Sequence, residues 1–312
     1  MATATGSLRR IVYASEGSSF KAGIGATGTI LRNTGDSLNL TKTSSQSAEL
    51  TGDRAIRSLR LGNEAVAGDI SFELAYGDFD DMLAAAMCKS DWATNVLKQG
   101  VTVPTFGIEK GFTDIGQYIE YVGCAVNTLA ISISTDAIIT GTLGIIGAGV
   151  ANDPAYSSTS AVTTPTDPAY TEPFVSFDGE VLLGGTDACG LITGIDFTID
   201  NGITANYTIC TPEAASLTPD RFNVTGTLTM LFEDADELNK FVDEESSTLK
   251  ITLTDDDGNK LDFNFPKIKY TGGDVSVSGG GVVPVSLPFQ ALYDETAAST
   301  LVITRTPVAV GP

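Results

Sequence analysis

The sequence predicts a mainly β protein made of duplicated β-sandwich or partial-barrel units, each with one flanking α-helix. Short runs in which apolar and polar residues alternate recur along the 312-residue chain. Glycine is abundant at 33 residues and 42% of the chain is hydrophobic, which suits many strands, many turns and a sizeable core. Two stretches share the order strand, acidic break, helix: GDISFELAYGDFDDMLAAAMCK from Gly68 and VTGTLTMLFEDADELNKFVDEES from Val224.

The N-terminal segment, residues 1–49, has little periodicity and several glycine breaks. We therefore predict an arm or a few edge strands that lie on the body of the protein or on a neighbouring copy.

The first unit is predicted over residues 50–149. Ile70, Phe72 and Leu74 alternate with polar residues, which indicates a strand, and the acidic break after them leads into a helical stripe that begins at Phe79. The runs CAVNTLAISIS and IITGTLGIIGAG follow, and the short TDA connection between them predicts a hairpin.

A second unit is predicted over residues 174–306, after a linker or surface loop at 150–173 that is rich in Pro, Ser and Thr. DADELNKFVDEESS has the spacing of a helix with Leu238, Phe241 and Val242 on one stripe. TLKITLTDDDGNKLDFNFP predicts a hairpin across a DDGN turn, and residues 307–312 form a tail.

The similar order of elements in the two units suggests an internal duplication with a period of roughly 150 residues. Sequence identity between the two halves is slight, so convergence on a common β pattern remains the alternative.

The charge of the chain argues against a nucleic-acid-binding protein. The net charge is −21, and residues 151–312 carry 24 acidic and 7 basic residues against 15 and 11 in residues 1–150. DNA binders place basic patches on the phosphates, and this surface would repel them. Solubility is the simplest role of such acidity.

No catalytic or metal-binding motif emerges. The chain has no histidine, which excludes Ser-His-Asp and Cys-His catalysis and most zinc sites. GIIGAG at 144–149 is not followed by a helix, and TDDDGN at 254–259 lacks the calcium-loop spacing. Cys88, Cys124, Cys189 and Cys210 form no CxxC pair and suit buried thiols. We therefore predict no enzyme, cofactor or metal.

Three arginines, Arg54, Arg57 and Arg60, cluster in DRAIRSLRLG. They are either scattered exposed residues or a subunit contact, in which their guanidinium groups pair with carboxylates of a neighbouring copy. The sequence favours neither.

Several long blocks resemble the major tail tube proteins of bacteriophages with long, non-contractile tails. They include LRNTGDSLNL, DRAIRSLRLG, GDISFELAYGDFDDMLAAAM, the segment from GIEKGFTDIG to GIIGAG, and GGGVVPVSLPFQALYD. The stretch 155–220 shows no such resemblance.

The resemblance implies a virion structural protein of the tail, assembled in the host cytoplasm, whose copies close into rings that stack into a tube. Genome DNA passes through without specific binding, and tape measure, tail terminator and distal tail proteins are the implied partners. A polar strand face suits a water-filled lumen. The lumen-facing candidates are Asn127, Ser132, Ser134, Thr140 and Thr142, and the N-terminal arm is the candidate for contact between rings.

The duplication favours a ring of three chains with approximate sixfold symmetry, and a ring of six chains is the alternative. A surface-exposed adhesion or surface-layer β-sandwich is the competing function. The N-terminus lacks the apolar segment of a signal peptide and no run is long enough to span a membrane, which disfavours that reading. A Ser–Lys enzyme is the weakest candidate.

Overall fold

The computed structural model describes residues 3–50, 52–53, 55–151, 156–275 and 281–308. The strands of the N-terminal half are β1 (Arg9–Ser15), β2 (Thr27–Ile30), β3 (Gly35–Asp36), β4 (Asn39–Gln46), β5 (Leu59–Glu73), β6 (Val96–Lys98), β7 (Phe106–Phe112), β8 (Gln117–Ser134), β9 (Thr140–Gly147), β10 (Gly149–Val150), β11 (Tyr156–Ser157) and β12 (Thr164–Thr166).

The strands of the C-terminal half are β13 (Gly179–Leu183), β14 (Thr186–Asp187), β15 (Ile192–Asp200), β16 (Thr204–Asn206), β17 (Ser216–Thr218), β18 (Asn223–Leu231), β19 (Ser247–Thr254), β20 (Lys260–Tyr270), β21 (Asp274–Val275), β22 (Pro284–Ala291) and β23 (Val302–Thr306). The α-helices are α1 (Asp80–Ala86) and α2 (Asp236–Val242), and short 3₁₀ turns span Gly6–Leu8 and Ser176–Asp178.

One long antiparallel sheet, here called the main sheet, runs through both halves. Its order is β3–β4, β5, β9, the second half of β8, β15, β18, β22, and then the end of β20 together with β21. The pairing of β8 with β15 joins the two halves into one sheet.

Two smaller layers pack against the main sheet. In the N-terminal half the order is β12, β2, β1, β7 and the first half of β8, with β12 parallel to β2. In the C-terminal half the order is β14, β13, β19, the first half of β20, β23 and β6. β8 and β20 are therefore the strands that pass from one layer to the other.

The core lies between these layers, and the strand alternation accounts for it. β9 and β22 each bury every second residue. Phe197 of the main sheet meets Phe263 and Phe265 of the facing layer, with ring centroids 5.3 and 5.2 Å apart. The predicted mainly β sandwich with two flanking helices is confirmed, and the sheets are open and form no closed barrel within the described part of the chain.

The same pattern of pairing occurs in both halves. In the N-terminal half, the neighbouring strands of the sheet are β4, β5, β9 and β8, in that order. In the C-terminal half, the corresponding neighbours are β15, β18, β22 and β20. The β7–β8 ladder has a register shift between Phe106 and Ile108, and the β19–β20 ladder has one between Ser247 and Leu249. Both hairpins expected from alternation, β8–β9 and β19–β20, are present.

The N-terminal segment is more deeply integrated than an arm. β1 lies between β2 and β7, and its residues Ile11 and Val12 are fully buried. Consecutive apolar residues without alternation mark a strand covered on both faces, and that pattern distinguishes β1 from an edge strand.

Part of the segment expected as a linker is also held by strand pairing. β11 pairs with β8 of the predicted first unit, and β12 pairs with β2 of the N-terminal segment. Residues 152–155 of that segment lie outside the described residues.

Candidate functional surfaces

The face of the main sheet that points away from the core, here called the polar face, is covered with small polar side chains. The alternation of β5, β9, β8, β15, β18 and β22 directs apolar residues to the core and polar ones outward. Four acidic residues, Asp69, Glu73, Asp196 and Asp200, lie in its central part. Two basic residues lie towards its ends: Arg60 of β5, near the hairpin tip, and Lys269 at the end of β20.

Four of the five residues predicted to face a lumen lie on the polar face. Ser132 is opposite Thr140 in the β8–β9 ladder, and Thr142 is two pairs further along that ladder, opposite Ala130. Ser134 is opposite Gly194 in the next ladder. Ser132 Oγ donates a hydrogen bond of 2.6 Å to the Asp196 carboxylate, which links β8 to β15 across this face.

Asn127 has a different position. It lies at the register shift of β8 between Val126 and Thr128. Its Oδ1 accepts a 2.6 Å hydrogen bond from the Ile203 backbone N–H, and its backbone carbonyl accepts one from Asn201 N–H. Asn127 therefore anchors the chain that leaves β15.

The main sheet ends in two edges that no described residue of the chain covers. At one end, β4 pairs with β5 alone. At the other end, β21 pairs with β22 alone. An open edge presents unpaired backbone N–H and C=O groups, and it is a template for pairing with another chain.

The join between the halves shows how such an edge is covered inside the chain. β8 and β15 pair from Thr128 opposite Asp200 to Ser134 opposite Gly194. Asn201, which follows β15 and is buried, donates hydrogen bonds of 3.0 Å to the carbonyl of Ala86 and 3.2 Å to that of Val126. The end of β15 thus covers the C-terminus of α1.

An ion pair supports the same join. Arg305 of β23 pairs with Asp80 at the start of α1, and its guanidinium lies 4.7 Å from the centroid of the Trp92 ring. Burial raises the pKa of Asp80 above its usual value, and the positive charge of Arg305 only partly offsets this.

The two helices differ in burial. Residues Met82 to Ala86 of α1 are all buried, whereas no residue of α2 is. Phe241 is 37% exposed and Val242 is 72% exposed. The predicted apolar stripe of α2 is thus partly open to solvent, beside the open edge at β21.

A comparison with known protein families shows to which family the chain belongs. The sequence profile described as phage tail tube protein matches residues 6–291, which is nearly the whole chain. The chain belongs to the phage tail tube protein family. No curated protein matches it.

Membership makes the chain a structural component of the virion tail that is assembled in the host cell. The predicted resemblance to tail tube proteins is confirmed, and the matched range also spans residues 155–220, which carried no recognisable resemblance.

The arginine cluster lies at the tip of the β4–β5 hairpin in this tail tube protein. Arg57 pairs with Asp53, and Arg60 is exposed opposite Ser45 in the ladder. Arg54 lies outside the described residues. Sequence reasoning missed the exposed aliphatic residues at the same tip, which are Leu50, Ile56, Leu59 and Leu61.

Buried carboxylates hold loops of the first unit in place, and sequence reasoning missed them too. Glu109 accepts hydrogen bonds of 2.7 Å from Ser160 Oγ and 2.6 Å from Ala161 N–H. Glu16 accepts one of 2.8 Å from Gly123 N–H, and Glu120 accepts one of 2.7 Å from Ile24 N–H. An isolated acidic residue in or beside a strand gives no sequence signal for such a long-range role.

The four cysteines differ in their exposure to solvent. Cys88 and Cys124 are buried, as expected, but Cys189 and Cys210 are exposed, and all four are free thiols. Within the described ranges, His, Cys, Asp and Glu side chains form no group of three that could hold a metal ion. No helix in the described part of the chain is long and apolar enough to span a membrane.

Proposed function

We propose that three copies of this tail tube protein close into a ring, that rings stack into the tail tube, and that the polar face lines the channel. One observation carries the proposal: the main sheet ends in two open edges and presents an uncovered polar face. Closing the sheet through copies of the same chain removes both edges.

Three chains are favoured over six because each chain supplies the same set of strands twice. β4, β5, β9 and β8 form one set, and β15, β18, β22 and β20 with β21 form the other. Three chains of eight strands make a barrel of about 24 strands. At about 4.8 Å between strands and a tilt of about 40°, the backbone circle is about 48 Å across. A DNA duplex passes through an opening of that size.

The acidic polar face explains how DNA would move through the channel without being held. Asp69, Glu73, Asp196 and Asp200 contribute negative charge to the central part of the polar face, whereas Arg60 and Lys269 lie towards its ends. Affinity for DNA comes mainly from neutralised phosphates, so a wall of carboxylates and hydroxyls leaves the duplex free to slide.

The tip of the β4–β5 hairpin is the proposed contact between stacked rings. Its exposed aliphatic residues form an apolar surface, on which Leu50 is 98% exposed. Apolar surface of this kind is typical of a contact with another chain. The N-terminal segment contributes β4 to this hairpin, while β1 is buried within the subunit. Tape measure and tail terminator proteins are the proposed partners inside and at the end of the tube.

The mass and shape of the purified assembly test the proposal. Negative-stain images should show rings or tubes, and the mass of an isolated ring should be three times the chain mass of 32.5 kDa. A ring of six chains would refute the role given to the duplication. A protein that stays monomeric at every concentration would refute ring formation and revive the adhesion alternative.

A further inference from the structure

We infer that the contact between neighbouring chains copies the contact between β8 and β15 inside one chain, so that the β21 edge pairs antiparallel with β3–β4 of the next copy in a defined register. The inference rests on the proposed ring, and it adds which residues meet.

The two halves of the chain correspond residue by residue at this edge. β22 lies 144 residues after β9, and the two strands share the same burial pattern. β8 has a register shift between Val126 and Thr128 in its ladder with β9. The ladders of β20 and β21 with β22 shift in the same direction between Tyr270 and Asp274. Positions on β8 therefore correspond to positions 144 residues later.

The glycines support the same correspondence. Gly68 of β5 and Gly226 of β18 hold equivalent places in their ladders with β9 and β22. A Cβ at Gly68 would lie 2.6 Å from the backbone of Leu38, and one at Gly226 would lie 2.6 Å from the Asp196 carbonyl oxygen. Both positions need glycine because the neighbouring strand passes too close for a side chain.

The two helices end in the same way. Cys88 and Glu244 follow α1 and α2 with φ of 51° and 55°, a left-handed conformation that non-glycine residues seldom adopt. Met87 N–H bonds to the Leu83 carbonyl, and Asp243 N–H bonds to the Asn239 carbonyl. Each half therefore brings a helix of the same geometry to the end of its four strands.

The register follows from this correspondence. β3–β4 holds the place in the first set that β15 holds in the second, because Gly35 pairs with Ser71 as Gly194 pairs with Thr229. Within one chain, Phe197 lies opposite Ile131 and Asp200 lies opposite Thr128. The equivalent pairs between chains are Leu38 of one copy opposite Val275 of the other, and Thr41 opposite Gly272.

The exposed apolar residues lie where this contact needs them. Val275 on the open edge is 37% exposed, whereas its counterpart Ile131 is buried under β15. Phe241 and Leu238 of α2 lie against Gly273, within 4.0 and 2.6 Å of the position its Cβ would take. A neighbouring β4 would extend the cover over this patch, as the end of β15 covers α1.

Disulfide trapping tests the register. The exposed thiols are first removed with Cys189→Ser and Cys210→Ser, and Gly272→Cys is then combined with Thr41→Cys. Residues directly opposite in an antiparallel ladder have Cα atoms about 4.5–5.5 Å apart, within disulfide reach. The matched control combines Gly272→Cys with Ser37→Cys, which is exposed on the same face and edge but displaced by about 13 Å along the strand.

Mild oxidation of rings should give covalent trimers with the Thr41→Cys pair, at least tenfold more than with the Ser37→Cys pair, and peptide mass spectrometry should find the 41–272 link. The register is overturned if rings of three chains form without this link, or if the control pair gives as much covalent trimer. Either result leaves the proposed function standing. If electron microscopy shows no rings from the unoxidised variant or from its parent that lacks only Cys189 and Cys210, the proposed function itself fails.

Discussion

Replacing Val242 by threonine should weaken ring assembly without changing the stability of the monomer. The side chain lies at the end of α2 and is 72% exposed in the single chain, so a nearly isosteric polar replacement costs the monomer little. Burying a fully exposed valine yields about 1.5–3 kcal/mol, and the exposed fraction scales this to about 1–2 kcal/mol at each contact between chains.

Three such contacts close one ring, so the ring loses about 3–6 kcal/mol in total. Every 1.4 kcal/mol is a factor of ten, which lowers the association constant by about 10²–10⁴. Because the midpoint concentration of a three-chain equilibrium varies as the inverse square root of that constant, it should rise about 10–100-fold.

Sedimentation velocity over a concentration series measures this midpoint, and thermal unfolding of dilute monomer checks the fold. Val101→Thr is the matched control, since Val101 is 89% exposed and follows β6, which pairs with β23 in the layer that faces the main sheet. Equal midpoints for the two variants would refute the placement of α2 at the contact between chains.

The other predictions concern the join, the polar face and pH. Asn201→Ala should lower the free energy of unfolding of the monomer, measured in urea, by about 2–4 kcal/mol, because it leaves the buried carbonyls of Ala86 and Val126 without their donor. A loss below about 0.5 kcal/mol would contradict this role. Ser132→Lys with Thr140→Lys should make assembled tubes retain duplex DNA at low salt and release it as salt rises, whereas Ser158→Lys with Thr159→Lys in an exposed loop should not; equal retention would argue against a polar face in the channel. Burial raises the pKa of Asp78 and of Asp80 in the folded state, so folding favours their protonated forms, and this stability is present at low pH and lost as pH rises through the raised values. The thermal midpoint should therefore rise as the pH falls from 7 towards the usual carboxyl pKa of 3.8. Asp78→Asn with Asp80→Asn should reduce that rise, whereas an unchanged rise would show that general charge repulsion alone causes it.

The local elements were predictable because their signals lie within a few residues of each other. Alternation in TLAISIS and TGTLGIIG is enough to define the second half of β8 and β9, and the short connection between them, five residues in the structure, favours their pairing. The acidic break before Met82 marks the start of α1 in the same local way.

The sequence did not predict which strands and loops far apart in the chain would contact each other. The pairing of Ile131 with Phe197 and the capture of Ala161 by Glu109 join residues far apart in the chain, and no local pattern encodes which partner each strand takes. The exposure of Val242 illustrates the same limit. A helical stripe predicts an apolar face, but whether this chain or another covers that face depends on assembly.

The duplication was visible in outline, and its residue correspondence was not. Gly68 and Gly226 are aligned in the sequence, but a shared glycine has meaning only when the strand that passes over each one is known. The alternation that defines the strands also predicts that Ser132, Ser134, Thr140 and Thr142 share one face of the sheet, but it does not reveal the position of Asn127 at a register shift.

A reconstruction of the assembled tube at a resolution that separates strands tests the central claim most directly. We expect three chains in each ring and one unbroken antiparallel wall around the channel, with β4 of each copy beside β21 of the next and Asp69, Glu73, Asp196 and Asp200 facing inward. A ring whose inner wall is interrupted between chains, or whose polar face points outward, would contradict the account.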